Sequence, residues 1–225
     1  MSKEYTFEEI RNNEEINTYI KMADASLATQ GFTDHSFAHV QKCAKIVKDI
    51  LTEFGYSPRE INLGQIAAYM HDIGNGINRV GHGQIGAVMA FNILTRLEMD
   101  PKDISIIIAA IGNHDELAAF PVNSIAAALL IADKTDVRRT RVRTSVTEQE
   151  ARSNIHLRVN YAVIKQTLEI SHEERSITCN LTIDTAICDI MDYFEIFLER
   201  MKLCKLAAKQ LNARFKLFIN GLELI

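Results

Sequence analysis

The chain has 225 residues, of which 47% are hydrophobic and 24% charged, with a formal net charge of −4. That length suits one large domain or a core domain with an appendage. The weak charge leaves no general nucleic-acid footprint, and no apolar run approaches the ~20 residues of a membrane span.

The N-terminal residues and the cysteines both bear on where the protein is located. The N-terminus, Met1-Ser2-Lys3-Glu4, is polar and unlike a signal peptide. The four cysteines form no C-x-x-C pair, so we expect buried, reduced thiols and a cytoplasmic protein.

Three helices are predicted in the first 55 residues. Thr6-Phe7-Glu8-Glu9 has the pattern of a capping box that opens a short helix. A helical period of apolar residues then continues until Gly31. A third helix begins near Phe37, with His39 beside its apolar stripe and His35 one turn earlier.

The fourth helix begins at Ser57-Pro58-Arg59-Glu60, which combines an N-cap, a proline in the first turn and a glutamate at the third position. It ends in the adjacent pair His71-Asp72, whose side chains can converge only where the helix stops. We expect Gly74 to end it by taking a positive φ angle. Residues 73–81 are rich in glycine and asparagine, which predicts a tight turn.

Three further helices carry side chains that bind metals in other proteins. One runs from about His82 to Met99, and the next, nearly all apolar from Ile104 to Ile111, leads to His114. The third runs from Ser124 to about Val137 and contains Asp133. A carboxylate in so apolar a helix is costly unless it is paired or coordinated.

An arginine run follows, and the pattern then changes. Arg138, Arg139, Arg141 and Arg143 are interpreted either as an exposed, mobile linker or as an electropositive lip that attracts phosphorylated substrates. After residue 155, alternating segments predict strands at 157–164 and 177–183 joined by a hairpin turn. A long helix from about Asp184 to Asn212 and a third strand from Phe215 follow. His156 and His172 are interpreted as surface residues.

The expected architecture is therefore mainly α. Residues 1–145 are predicted to form a helical, metal-binding domain. Residues 155–225 are predicted to form a small α+β subdomain of order β-β-α-β, which serves packing, oligomerisation or one wall of a substrate pocket.

The order His39, His71-Asp72, then Asp133 within Ile131-Ala132-Asp133-Lys134 resembles the signature of the HD-domain superfamily of metal-dependent phosphohydrolases. His82 and His114 resemble the extra ligands of its dinuclear members. The resemblance covers roughly residues 30 to 140. It implies an HD-type helical bundle and a site that holds divalent metal ions.

Two assignments of the ligands stay open. In the first, His39, His71, Asp72 and Asp133 hold one ion, Asp72 bridges, and His82 and His114 hold a second. In the other, one ion is bound, and His82 and His114 contact the substrate phosphate or protonate the leaving oxygen. Imidazole and carboxylate ligands suit Fe, Mn, Zn or Ni, with Mg a further candidate. Asp72 and His114 are the predicted catalytic residues.

One position departs from the pattern of many dinuclear relatives, which carry a lysine directly after His-Asp-Ile-Gly. Here that residue is Asn75. A phosphate contact is therefore lost or supplied elsewhere. The predicted substrate-binding residues are His35, Asn75, Arg79, Lys134 and Arg138.

Three functions compete. The first is a phosphohydrolase acting on a nucleotide or another small phosphate ester, with no membrane or polymeric nucleic-acid partner and with the oligomeric state left open. The second is a dinuclear-iron oxygenase. The third is a non-catalytic, ligand-sensing HD module, which has less need of a complete ligand set.

Overall fold

The computed structural model describes residues 3–225, and it has the mainly helical fold that the sequence predicts, with a small sheet near the C-terminus. Within this part of the chain there are ten α-helices, two short 3-10 helices and four strands. The α-helices are α1 Phe7–Arg11, α2 Glu14–Thr29, α3 Phe37–Glu53, α4 Pro58–Met70, α5 His82–Arg96, α6 Pro101–Gly112, α7 Ser124–Lys134, α8 Glu148–Ser153, α9 Ile155–Ala162 and α10 Ile190–Gln210. The strands are β1 Val163–Ser171, β2 Ser176–Ile183, β3 Arg214–Ile219 and β4 Leu222–Glu223.

The predicted helix starts are confirmed at atomic detail. Thr6 and Ser57 each accept a hydrogen bond from the backbone N–H three residues on, and Glu9 and Glu60 return the bond to the cap backbone. These reciprocal bonds satisfy N–H groups that a helix start otherwise leaves unpaired. The first residues of α1 and α4 are therefore determined by neighbouring residues in the sequence.

Helix α7 lies at the centre of the bundle. Residues from Ile125 to Ala132 are 2% exposed or less, as expected for a helix that is apolar all round. It packs against α3, α4, α6 and α10. This position carries Asp133, near the C-terminal end of α7, into the interior of the molecule.

The predicted strand at 157–164 is wrong over most of its length. Residues Ile155–Ala162 form α9, and β1 begins only at Val163. The reason is Asn154, whose side chain accepts hydrogen bonds from His156 N and Leu157 N and so starts a helix. The alternating side chains form a strand only after α9 ends, from Val163 onward.

The sheet has the order β1-β2-β3-β4. β1 and β2 form the predicted hairpin, with an antiparallel register that pairs Ser171 with Ser176. β2 and β3 are parallel, so the chain must cross over between them, and α10 is that crossover. α10 begins at Ile190, six residues later than predicted, because Asp184 Oδ1 accepts a hydrogen bond from Ala186 N and a turn over residues 185–187 comes first.

The buried residues of the helical part and of the sheet form one continuous hydrophobic cluster, from Ile10 to Ile219. The division into two domains at residues 145–155 stays a prediction. No helix among residues 3–225 is long and apolar enough to cross a membrane. The four cysteines are free and buried, as predicted.

Candidate metal centre

The His71-Asp72 pair lies where α4 gives way to the 3-10 helix Ile73–Gly76. His71 keeps helical backbone angles, and Asp72 relaxes to φ −96° and ψ 0°. The relaxed backbone brings His71 Nε2 within 3.2 Å of Asp72 Oδ2. Two adjacent side chains that would diverge within a helix thus face the same space.

Gly74 has a different role from the predicted one, since it is not among the glycines with positive φ. A Cβ atom built at this position would lie 2.1 Å from the carbonyl oxygen of His82 and 2.6 Å from the backbone N of Gly86. The 3-10 helix therefore packs directly on the backbone of α5. This contact fixes the distance between the His71-Asp72 pair and His82.

Four histidines share one arrangement. In each ring Nδ1 lies within hydrogen-bond distance of a fixed acceptor, which leaves Nε2 facing the common centre. The Nδ1 partners are Asp136 Oδ2 for His39 at 2.8 Å, Ala68 O for His71 at 2.8 Å, Arg79 O for His82 at 3.0 Å and Ile111 O for His114 at 2.6 Å. This second contact is what fixes the tautomer and ring orientation of metal-binding histidines.

The first group of ligand atoms surrounds His39 Nε2. Asp133 Oδ1 lies 3.3 Å from it and Asp72 Oδ2 lies 3.6 Å from it. His71 Nε2 faces the same two carboxylates, at 3.2 Å from Asp72 Oδ2 and 3.9 Å from Asp133 Oδ1. Two imidazoles and two carboxylates therefore converge.

The second group is formed by His82 and His114, whose Nε2 atoms are 3.1 Å apart. Because both Nδ1–H groups are committed to carbonyl oxygens, both Nε2 atoms present lone pairs to each other. Two facing acceptors are favourable only when a cation or proton lies between them. Asp72 Oδ1 is 3.5 Å from His82 Nε2 and 3.8 Å from His114 Nε2.

Asp72 thus divides its two oxygens between the two groups. Oδ2 faces His39 and His71, whereas Oδ1 faces His82 and His114. His71 Nε2 and Asp72 Oδ2 are buried with no hydrogen-bond partner among residues 3–225. Buried polar atoms need a partner, so this donor set fits metal ions.

The carboxylates have the protonation state that metal binding requires. Burial alone would raise the pKa of Asp72, but the imidazoles of His71 and His114 hold it well below its usual range. Burial acts against Asp133 in the same way, and the ammonium of Lys134 is the main group that holds its pKa well below the usual range. Both carboxylates are therefore ionised at neutral pH.

The histidines differ between the two groups. Burial lowers the pKa of His82 to about 4 and also lowers the pKa of His114, so both are neutral at neutral pH. Burial acts in that direction at His71 too, but Asp72 and Asp133 outweigh it and raise the pKa. A proton therefore competes with a metal ion at His71 more than at His82.

Cys43 also lies near the first group, with its Sγ 3.7 Å from His39 Nδ1. Burial raises the pKa of this thiol well above its usual range, and the charges of Asp133 and Asp136 add to that effect. The thiolate is the form that binds metals. The protonated thiol therefore packs beside the first group, where its sulfur lies close to the ligand atoms of His39, His71 and Asp133, and a bound metal ion would have to displace the thiol proton before the sulfur could serve as a ligand.

Asp136 contacts a predicted ligand and was missed by the sequence analysis. Its side chain is fully buried and accepts from His39 Nδ1 at 2.8 Å, from Lys42 Nζ at 2.7 Å and from Arg141 Nη1 at 2.9 Å. Arg141 Nη1 also approaches His39 Nδ1, at 2.5 Å. A guanidinium cannot accept a hydrogen bond, so Asp136 is the acceptor that allows the Nδ1–H tautomer of His39.

The arginine run is not a mobile linker, because its side chains are anchored in the fold and Arg141 lines the cavity described below. Arg141 is 5% exposed, and Arg143 forms an ion pair with Asp24 at 2.7 Å. Arg138 Nε donates to Asp136 Oδ1 at 2.8 Å, and Arg139 lies over the ring of Tyr161. Each of the four arginines has a partner inside the fold, and two of them surround Asp136.

We expect Asp136→Asn to lower the affinity for the first metal ion by about 10- to 100-fold, the usual cost of losing such a partner. The amide still accepts from His39 but no longer places a negative charge beside the imidazole. Metal titration followed by calorimetry measures the change. Asp49→Asn, on the exposed face of α3, is the control. Affinities within twofold of the parent in Asp136→Asn would refute this role.

A cavity of about 270 Å³ opens onto the centre. Three of the five predicted substrate-binding residues line it, and two do not. His35, Arg79 and Lys134 line it, as do Asp72, His82 and Asp133. Asn75 is fully buried, with its amide donating to Asp72 Oδ1 at 2.8 Å and accepting from Arg79 at 3.2 Å. Asn75 and Arg138 are not among the residues that line the cavity, and they contact Asp72 and Asp136 instead; a contact with substrate stays a prediction for both.

The opposite wall comes from the C-terminal part of the chain. Asn154, His156 and Asn160 of the α9 region and Phe197 and Arg200 of α10 line the cavity. His156 is exposed, as predicted, but its exposed side belongs to the cavity. No local pattern points to this wall, because it depends on α10 packing against α7. Asp136 could have been considered from the sequence, since it lies three residues after Asp133, just beyond the end of α7.

Similarities to known proteins extend over much of the chain. Residues 34–196 match the HD domain, further toward the C-terminus than the predicted 30–140. An uncharacterized protein of Methanocaldococcus jannaschii is 26% identical over 163 residues, and the chain spans 62% of that relative's length. The crystal structure of a predicted HD superfamily hydrolase from an uncultured Thermotogales bacterium superposes with a TM-score of 0.44 and 20% identity, over 55% of this chain and 67% of the other.

The match of residues 34–196 to the HD domain confirms the resemblance seen in the order of ligand types. The matched residues include all six predicted ligands and reach into α10. Because the match covers well over half of its length, the chain belongs to the HD-domain family.

Proposed function

We propose that this HD-domain protein is a metal-dependent hydrolase that cleaves a phosphate ester of a small molecule, for example a nucleotide. The observation that carries the proposal is the division of Asp72, with one oxygen facing His39 and His71 and the other facing His82 and His114. A carboxylate placed in this way suits two cations on its two sides. A single ion would leave one histidine pair without a partner.

His39, His71 and Asp133 with Asp72 Oδ2 would hold one ion, and His82 and His114 with Asp72 Oδ1 would hold the other. Two divalent ions in such a site lower the pKa of a water molecule and neutralise charge on a transferring phosphoryl group. Fe, Mn, Zn and Ni suit this mixture of imidazole and carboxylate ligands, and Mg is a further candidate.

The chain's own residues would bind and orient the substrate. Lys134 Nζ lies 2.7 Å from Asp133 Oδ2, which places an ammonium at the edge of the ligand group. Arg79 lies on the other side, with Nη1 3.5 Å from His82 Nε2 and its guanidinium over the ring of Phe32. These two cations would take over the phosphate contact that a lysine at position 75 makes in relatives. The C-terminal wall would exclude bulk water.

The cavity favours a small substrate over a polymeric nucleic acid. Its volume of about 270 Å³ lies just below the range of about 300–1,000 Å³ that is usual for pockets of drug-sized ligands. Four cationic residues line it, Arg79, Lys134, Arg141 and Arg200, and four carboxylates balance them, Asp72, Glu116, Asp133 and Asp136. The attraction for an anion would therefore come mainly from bound metal ions inside the cavity.

The test is phosphate release from a panel of small phosphate esters by the protein loaded in turn with Mn, Fe, Zn, Ni and Mg. We expect release that depends on the metal and is lost with chelation. Loss of substrate that requires oxygen and releases no phosphate would favour the oxygenase. Tight binding of a nucleotide without turnover, in any metal, would favour the sensing module.

A further inference from the structure

A chain of alternating charges runs from α10 to the metal centre. Arg200 Nε lies 2.6 Å from Glu116 Oε1, which lies 3.9 Å from Lys134 Nζ, and Lys134 Nζ lies 2.7 Å from Asp133 Oδ2. All four residues line the cavity. The C-terminal helix is thus linked electrostatically to a metal-binding carboxylate.

Arg200 is held in place but keeps donors for a ligand. Its guanidinium stacks on Phe197, 4.6 Å from the ring centre, and 28% of the side chain is exposed. A guanidinium has five N–H donors in a planar fork, and one carboxylate takes at most two of them. The remaining donors suit a second planar or tetrahedral anion in the cavity.

Lys134 and Arg200 lie at different distances from the metal-binding carboxylate Asp133 along this chain of charges. Lys134 contacts Asp133 directly, whereas Glu116 separates Arg200 from Lys134. An anion bound by Arg200 therefore lies one charged group further from the metal ligands than an anion bound by Lys134. The cations and carboxylates of the lining balance, so bound divalent ions would leave an excess of positive charge that a single phosphate does not exhaust.

We infer that the substrate carries a second anionic group, a carboxylate or a second phosphate, remote from the scissile phosphate, and that Arg200 recognises it. This inference rests on the proposed hydrolase function, since it concerns the same cavity. The small volume requires both anionic groups to belong to one compact molecule.

Matched pairs of compounds test the inference. Glycerol 3-phosphate and 3-phosphoglycerate differ by a carboxylate at the far end, and adenosine 5′-monophosphate and adenosine 3′,5′-bisphosphate differ by a second phosphate. We expect the Mn-loaded protein to have a higher kcat/KM for the doubly anionic member of at least one pair, by about tenfold, the value of one charge-assisted hydrogen bond.

Variants on α10 test whether Arg200 causes the preference for the doubly anionic compound. Arg200→Ala should bring the kcat/KM ratio of the pair close to one, and Arg200→Lys should restore part of it. Lys202→Ala, which removes an exposed cation paired with Glu199, is the control and should leave the ratio unchanged. If Arg200 had a purely structural role, Arg200→Ala would lower kcat/KM equally for both members of the pair. No preference in the parent, or a preference that survives Arg200→Ala, would overturn the inference.

Calorimetric binding of the same pairs separates this inference from the proposed function. Arg200-dependent preference in binding without phosphate release would support recognition of the second anion and contradict the hydrolase. Phosphate release with equal rates for both members in every variant would support the hydrolase and overturn the inference.

Discussion

Replacing Asp72 by Ala should remove both metal ions and lower phosphate release by about a thousandfold or more, because a single carboxylate faces both ligand groups. The variant keeps His39 and His82 but loses the anion between them. Elemental analysis of the purified variant measures the loss of metal, and a phosphate assay at saturating substrate measures the loss of activity.

The control for this variant is Asp103→Asn. Asp103 is also a buried carboxylate, 5% exposed, but it pairs with Arg59 in the first turns of α6 and α4, whereas His71 and His114 follow the last turns of these helices. It should retain the metal content of the parent. Full metal content in Asp72→Ala would contradict a bridging role, and loss of metal in Asp103→Asn would show that any damage to the helices is sufficient.

Replacing Gly74 by Ala should destabilise the fold by about 3 kcal/mol and weaken metal binding, although Gly74 is not itself a ligand. The added methyl group would meet the backbone of α5 at His82 and Gly86, which cannot rotate away as a side chain can. The 3-10 helix and α5 must separate, and His82 then moves relative to Asp72. Thermal unfolding should show a decrease of about 5–10 °C in Tm.

Gly76→Ala is a matched control two residues away in the same 3-10 helix. A Cβ there would lie 3.7 Å from Ala23 N, which is ordinary contact, and Gly76 does not have a positive φ. The change in its unfolding free energy should stay within about 1 kcal/mol. Equal Tm values for Gly74→Ala and the parent would refute the close-packing role of Gly74.

Several features of the site follow from local rules that a sequence carries. The ends of α4 and α7 are set by caps, proline and apolar periodicity, and these rules place His71, Asp72 and Asp133 on helices or at their ends. The cost of a carboxylate in an apolar helix singles out Asp133. Ligand types on separate helices then predict a common centre.

Other features depend on contacts between distant parts of the chain. Asp136 and His39 are 97 residues apart, and nothing local shows that they form a hydrogen bond. Gly74 looks like a helix stop, and only the position of α5 shows that it is a close contact. Asn154 caps a helix within a stretch whose alternating side chains predict a strand, and the stretch is helical because this cap satisfies its first N–H groups.

The central claim is that two metal ions share Asp72, and metal stoichiometry tests it most directly. The measurement is elemental analysis of the purified parent, His82→Ala and His114→Ala after loading with Mn or Fe. The account predicts about two equivalents in the parent and about one in each variant. One equivalent in all three proteins would contradict the shared carboxylate and assign His82 and His114 to the substrate.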